Sequence, residues 1–189
     1  LVGFDAAGIW SAQGFVPVGR TNQANSFQGS FDGRGHAISG LTIDRPGEDY
    51  AGLFGRTHDA TIANVGLEGG SVSGLSNVGG LVGYQGGGSI TQSYTAGAVS
   101  GLNAVGGLVG AQNGGSIAQS YAAGAVSGDW YVGGLVGYQL GGSIAQSYAT
   151  GAVESDNQVG GLVGRQNGGS IAQSYATGAV EGTDYVGGL

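Results

Sequence analysis

Asp32, Arg34 and His36 alternate along the chain, so on a flat strand a carboxylate, a guanidinium and an imidazole would share one face and could do acid–base work. Gly33 and Gly35 between them fit a turn that solvates the three polar groups better. His58, the only other histidine, stands beside Asp59. No His-Glu-x-x-His string sets two imidazoles on a helical face for zinc, and no histidine lies among the regular repeats to activate a serine. No catalytic residue is assigned.

A second set of chemically capable residues recurs at 27-residue steps in short variable stretches: Glu48-Asp49-Tyr50, Leu75-Ser76-Asn77, Leu102-Asn103-Ala104, Asp129-Trp130-Tyr131, Asp156-Asn157-Gln158 and Thr183-Asp184-Tyr185. Aromatic rings that stack on sugars stand here beside carboxylates that accept from hydroxyls. Tyr50, Asp129, Trp130, Tyr131, Asp184 and Tyr185 are therefore the candidate ligand-binding residues, and a solvated, drift-tolerant edge is the plainer alternative. Stacked copies would set Asp129 over Asp156 and Glu154 over Glu181. Calcium is the cation that would relieve such pairs, so these four acids are the candidate metal ligands; no other cofactor is expected.

The elements that position these residues follow from a fixed period. Leu81, Leu108, Leu135, Leu162 and Leu189 are 27 residues apart, each in a Val-Gly-Gly-Leu string. Such a period marks a tandem array whose units bury their apolar faces against one another. Each unit divides into three strand-length apolar runs, as in Gly107–Gly110, Ser116–Ala122 and Ala125–Ser127, with corners expected at Asn113-Gly114-Gly115, Gly124 and Gly128-Asp129. With no room for a returning helix, each run must pair with its equivalent in the next unit. The fold class predicted is all-β, a right-handed parallel β-helix with about 27 residues and three short strands per coil.

Residues 26–189 form the solenoid in this reading, continuing beyond Leu189 in a longer chain, and residues 1–25 cap or lead into it through Phe4, Ile9, Trp10, Phe15, Val16 and Val18. Coils are expected at Tyr50–Asn77, Val78–Ala104, Val105–Tyr131, Val132–Gln158 and Val159–Tyr185, the first holding 28 residues with one extra in a corner. Core columns are the leucines with Val78/105/132/159/186, Ile62/90/117/144/171 and Val72/99/126/153/180. Val82, Val109, Val136 and Val163 directly follow the leucines, so either the strand bulges there or they form an outward apolar stripe headed by Phe54. The columns Gln85/112/139/166 and Gln92/119/146/173 read as amide ladders, and Tyr94/121/148/175 as an aromatic column of undetermined direction.

Composition narrows the partners. The formal charge is −7, with no lysine, no cysteine and five arginines. Without a basic patch nucleic acid is excluded as a partner, and no stretch of 18 apolar residues spans a membrane. Absent cysteine is compatible with export.

The unit Val-Gly-Gly-Leu-Val-Gly, followed by Gly-Ser-Ile-x-Gln-Ser-Tyr and Gly-x-Val, closely resembles the GLUG repeat of bacterial surface and secreted proteins, and Phe27–Ile43 resembles the lead-in coil before such repeats. The resemblance covers roughly residues 10–189. Such repeats accompany filamentous-haemagglutinin-like adhesins and IgA-cleaving metallopeptidases as a stalk or spacer. The resemblance implies an extracellular or bacterial cell-surface location and a structural or adhesive role without catalysis. Its partners would be a host-surface or matrix glycan or protein and neighbouring domains of a longer chain; a polysaccharide-binding or polysaccharide-processing β-helix is the alternative.

Overall fold

The computed structural model describes residues 10–19 and 23–188, so Phe4, Ile9 and Leu189 lie outside the described residues. Strands Thr42–Asp44, Ser71–Ser73, Ala98–Gly106, Val126–Gly133, Val153–Gly160 and Val180–Gly187 pair in that order, all parallel, each contributed by one of about six successive coils. Trp10–Ser11, Gly14–Phe15 and Ser76–Gly79 join the same sheet, and a second, larger sheet carries the other strands. The single-turn helix Gln23–Asn25 is the only helix among the described residues, and no helix is long and apolar enough to cross a membrane. The protein is an all-β parallel solenoid.

The columns stack as the period requires. Ile90 pairs with Ile117, Ile117 with Ile144, and Ile144 with Ile171, while Val99, Val126, Val153 and Val180 follow one another in the other sheet. Leu81, Leu108, Leu135 and Leu162 are fully buried with Val78, Val105, Val132 and Val159. In the last described coil, Ile171 and Val180 are only partly covered and Val186 is exposed.

One open alternative is resolved, and two details differ from the sequence expectation. First, no apolar stripe faces solvent at Val82, Val109, Val136 and Val163, because these valines are as buried as the leucines before them. The N–H groups of Leu81 and Val82 both donate to the Leu108 carbonyl at 3.1 Å, and those of Leu108 and Val109 both donate to that of Leu135 at 3.0 Å. Two successive donors on one acceptor mean that the chain bends at the leucine. Neighbouring side chains that would oppose each other on a flat strand therefore both turn into the core.

Second, the expected corners at Asn113-Gly114-Gly115 and Gly128-Asp129 fall inside the strands Val109–Ala118 and Val126–Gly133, the former with shifted register around Gly114. In the later coils the long run splits in two, as at Val136–Gln139 and Ser143–Ala145. Several sharp corners also dispense with glycine. Gln92, Gln119, Gln146 and Gln173 adopt φ between 47° and 51°, and Tyr50, Asn77, Ala104, Tyr131, Gln158 and Tyr185 between 50° and 63°. Some repeat glycines instead permit close approach: a Cβ on Gly110 would lie 2.5 Å from the Val78 nitrogen.

Third, no single extra residue accounts for the first coil. Ala51 bridges Val78 at the regular 27, Phe54 pairs with Val82 at 28, and Val72 returns to 27 against Val99. One residue is missing before Phe54 and one is added before Val72, near Gly69-Gly70. The two changes compensate and the columns stay aligned.

Polar groups brought inside are largely matched to partners. Ser93, Ser120 and Ser147 are buried and donate at 2.8 Å to the carbonyl two residues earlier. Their oxygens accept in turn from the previous coil, Ser93 N to Ser120 Oγ and Ser120 N to Ser147 Oγ, both at 3.2 Å. The left-handed glutamine just before each serine turns the backbone off its ladder, and the hydroxyl takes the place of a carbonyl. Gln85, Gln112 and Gln139 are also buried; Gln139 Nε2 donates to Gln112 Oε1 at 3.2 Å, but Gln85 and Gln112 Nε2 donate to the Ser116 and Ser143 carbonyls at 3.3 Å, so the expected amide ladder is made at one rung only. Gln166, one coil further, is exposed and bonds its own loop at Gly169.

Against the first coil lies the described part of the N-terminal segment. Trp10–Ser11 and Gly14–Phe15 form an antiparallel hairpin, and Gly14 pairs antiparallel with Ile43. Arg45, buried, donates to Ser11 Oγ at 2.9 Å, Gln13 Oε1 at 3.1 Å and the Phe15 carbonyl at 3.4 Å, and pairs with Glu48 at 3.1 Å. The rings of Phe27 and Phe31 pack on Phe54 at 4.8 and 5.4 Å.

Candidate functional site

The Asp32, Arg34 and His36 trio does not form one catalytic face. Arg34 and Gly35 take φ of 52° and 76°, and the ladder to the next coil shifts register between Asp32 and His36, so the alternation of a flat strand is lost. All three residues are exposed. Asp32 accepts from Asn64 Nδ2 at 3.0 Å and from the Arg34 backbone N–H at 2.9 Å, and these bonds to its charged form hold its carboxyl below the ordinary value. His58 Nε2 lies 3.6 Å from the Asp59 carboxylate at a partly exposed turn.

The variable corner is brought together as a column. Asn103, Trp130, Asn157 and Asp184 pair in order across four coils. The residue after each is the left-handed corner residue, so Tyr131 and Tyr185 share a backbone conformation with Tyr50. Trp130 is 43% exposed and Tyr185 80%, while Tyr50 and Tyr131 are half-buried. Asp129 and Asp184 are exposed.

Of the four acids considered for a cation, Glu154 and Glu181 pair directly. Asp129, Glu154 and Asp156 line one shallow groove with Ser127 and Ser155; Glu154, Asp156 and Glu181 line the next. Among the described residues no three histidine, aspartate or glutamate side chains gather as a metal centre requires. The acids meet in pairs along an open surface.

The aromatic column Tyr94, Tyr121, Tyr148 and Tyr175 resolves outward, since Thr95, Ala122 and Ala149 beside them are buried and the tyrosines are not. Adjacent rings stack at 4.9, 4.8 and 5.3 Å, within 6° of parallel. Inner ring faces cover one another and leave edges to solvent. The Tyr94 hydroxyl donates to Glu68 at 2.7 Å, a bond that raises its pKa, and burial raises that of Tyr121.

Sequence reading missed a further column. Arg56 pairs with Tyr84, Tyr84 with Ala111, Ala111 with Tyr138, and Tyr138 with Arg165. The Arg56 guanidinium carbon lies 4.5 Å from the Tyr84 ring centre and 4.7 Å from that of Tyr50. Arg165 lies 5.0 Å from Tyr131 and 5.6 Å from Tyr138, and its Nη1 donates to the Tyr131 hydroxyl at 2.8 Å. Asn167 accepts from Arg165 Nε at 3.0 Å and donates to the Tyr138 hydroxyl at 2.7 Å. Trp130 extends the second cluster, edge-on to Tyr131 at 6.3 Å. The signal was available in the repeat alignment: the position before each buried glutamine or its counterpart reads Arg, Tyr, Ala, Tyr, Arg.

Comparison with known proteins agrees with this architecture. Residues 128–154 and 155–181 each match the GLUG motif. The chain carries GLUG repeats. Over 76 residues it is 45% identical to halomucin of Haloquadratum walsbyi, a stretch covering 39% of this chain and 1% of that protein. Its fold is similar to the crystal structure of a candidate immunoglobulin A1 protease from Bacteroides ovatus, with a TM-score of 0.72 and 25% identity over 89% of this chain and 56% of that one. The chain thus spans little more than half of the solved structure and a very small part of halomucin. The two motif matches cover Glu154, Asp156 and Glu181 together with Trp130 and Tyr131, so the GLUG repeats themselves carry much of the variable corner. The coils that match the GLUG motif are units of a repeat domain.

Proposed function

We propose that this chain is a structural stalk or adhesive segment of a large bacterial cell-surface or secreted protein, acting outside the cell and performing no catalysis of its own. One observation carries the reading: side chains at equivalent positions serve coil-to-coil stacking, from the buried leucines to the serine ladder and the buried glutamines that bond a neighbouring coil. A stack of identical parallel ladders is stiff along its axis and holds whatever is attached to its ends at a fixed separation. The GLUG motif and the likeness to halomucin support a surface-protein repeat segment. Neighbouring domains of a longer chain, and a host or matrix glycan or protein, are its partners in this reading. Small-angle scattering tests the spacer: lengthening the array by two 27-residue units should extend the particle by ~10 Å, two interstrand steps, with unchanged cross-section. A particle that thickens instead would end the proposal.

A further inference from the structure

The structure assigns an anion-reading groove to the column Arg56, Tyr84, Ala111, Tyr138 and Arg165, with Tyr50 and Tyr131 on its flank, and its ligand is an extended acidic polysaccharide lying along the solenoid axis. This rests on the adhesive part of the proposed function and names its glycan class; the spacer role stands or falls separately, on the scattering test.

Three observations carry the assignment. The chain holds 12 carboxylates against five arginines, yet neither Arg56 nor Arg165 pairs with a carboxylate among the described residues, whereas Arg45 does. Arg56 Nε is buried with no hydrogen-bond acceptor while the side chain as a whole stays partly exposed, so it is the outer part of the guanidinium that an anion would meet. Both guanidiniums are instead held against tyrosine faces, which orients them; Arg165 bonds Asn167 through Nε and the Tyr131 hydroxyl through Nη1, and its Nη2 makes no hydrogen bond among the described residues. An arginine fixed on aromatic rings and lacking an internal anion is built to accept an external one.

Spacing selects the ligand's form. Successive rungs are ~4.8 Å apart, so Tyr84 and Tyr138 stand ~10 Å from each other with Ala111, buried, on the rung between them. Two rungs match two sugar residues of an extended chain. The arginines occupy the outer rungs, ~19 Å apart at the backbone, and each leans on the ring of the rung next to it. A glycan with an acidic group on alternate sugars can therefore meet an arginine at either end and run past the aromatic ridges between them. The carboxylate or sulfate that each arginine binds is the shared chemistry.

Calorimetric titration of the 189-residue protein with hyaluronan oligosaccharides of two and six sugars, chondroitin sulfate hexasaccharide and neutral cellohexaose tests this. The acidic hexasaccharides should bind, more weakly as salt rises, and the disaccharide at least tenfold more weakly than the hexasaccharide. Arg56→Gln and Arg165→Gln should each lower hexasaccharide affinity about tenfold, with circular dichroism matching the parent. Arg56→Lys and Arg165→Lys keep the charge and serve if a glutamine variant fails to fold; each should lower affinity less than loss of charge would. Preference for the sulfated chain assigns sulfate, and equal binding assigns carboxylate; both uphold an acidic ligand. Equal binding of cellohexaose, no binding of either acidic hexasaccharide, equal binding of di- and hexasaccharide, or folded arginine variants that bind like the parent would each overturn it.

Discussion

Two corners of every regular coil are made the same way, with a non-glycine residue in the left-handed region, yet they treat sequence differently. At one the residue is always glutamine, Gln92, Gln119, Gln146 and Gln173; at the other it is Asn77, Ala104, Tyr131, Gln158 or Tyr185. The backbone conformation therefore does not dictate the residue. What differs is the next position along the chain: each glutamine precedes a buried or part-buried serine that bridges coils. Each variable residue precedes a valine whose burial asks nothing of its predecessor. One corner is fixed by a hydrogen-bond ladder, and the other is left open to acquire rings and charges.

The largest effect expected comes from breaking register at both corners together. Deleting Val132–Gln158, one full unit, should leave a shorter folded protein, whereas deleting 13 residues should misalign every column and cause aggregation. Thermal melts followed by circular dichroism and light scattering decide; equal tolerance would refute the ladder account. Next, Leu108→Ala should cost ~2–5 kcal/mol in chemical denaturation by opening a cavity between two covered coils.

At the fixed corner, Ser120→Ala removes the acceptor for the Ser93 N–H and leaves a buried donor unmatched, a loss of ~1–3 kcal/mol. At the variable corner, Ala104→Gly relieves a left-handed φ and should be neutral or stabilising by up to ~1 kcal/mol, although Ala104 is just as buried. Similar losses at both positions would mean that the two corners are equally constrained.

A smaller effect is titratable. The Tyr94 and Tyr121 pKa values are raised in the folded state, so the native protein keeps these protons where the unfolded chain releases them. Their contribution is complete below the unfolded value near 10 and is lost as pH climbs above it. The alkaline fall in melting temperature should be shallower in Tyr94→Phe/Tyr121→Phe. The smallest change is at the acidic pairs: Asp129→Asn/Asp156→Asn should alter stability by at most ~0.5 kcal/mol at low salt. Calcium at millimolar concentration is expected to act through these pairs only if it raises the melting temperature of the parent and not of this variant.

Much of the fold was legible because one period sets it. A slip by one residue would turn every side chain of a strand to the wrong face, so identical spacing of Leu81, Leu108, Leu135 and Leu162 announces both the stack and its columns. The arrangement of the candidate corner was legible for the same reason, as Trp130 over Asn157 shows. The Arg56 and Arg165 clusters were not recognised, since Tyr84 over Arg56 and Tyr131 over Arg165 come from different coils, and the one pair within a unit, Tyr50 and Arg56, has no counterpart in the other coils to mark it.

The sequence by itself determined which residues share a column, because stacking repeats the period and nothing else can satisfy parallel ladders. Only the tertiary structure decided which way the columns face. Whether Val109 joins Leu108 in the core, whether Tyr121 points out, and whether His36 shares a face with Asp32 all depend on local bends: a shared carbonyl at Leu135, a left-handed φ at Gln119, another at Arg34. Non-glycine residues adopt that region only where packing and hydrogen bonding from neighbouring coils over-determine it, and residue type gives no warning of such bends in advance.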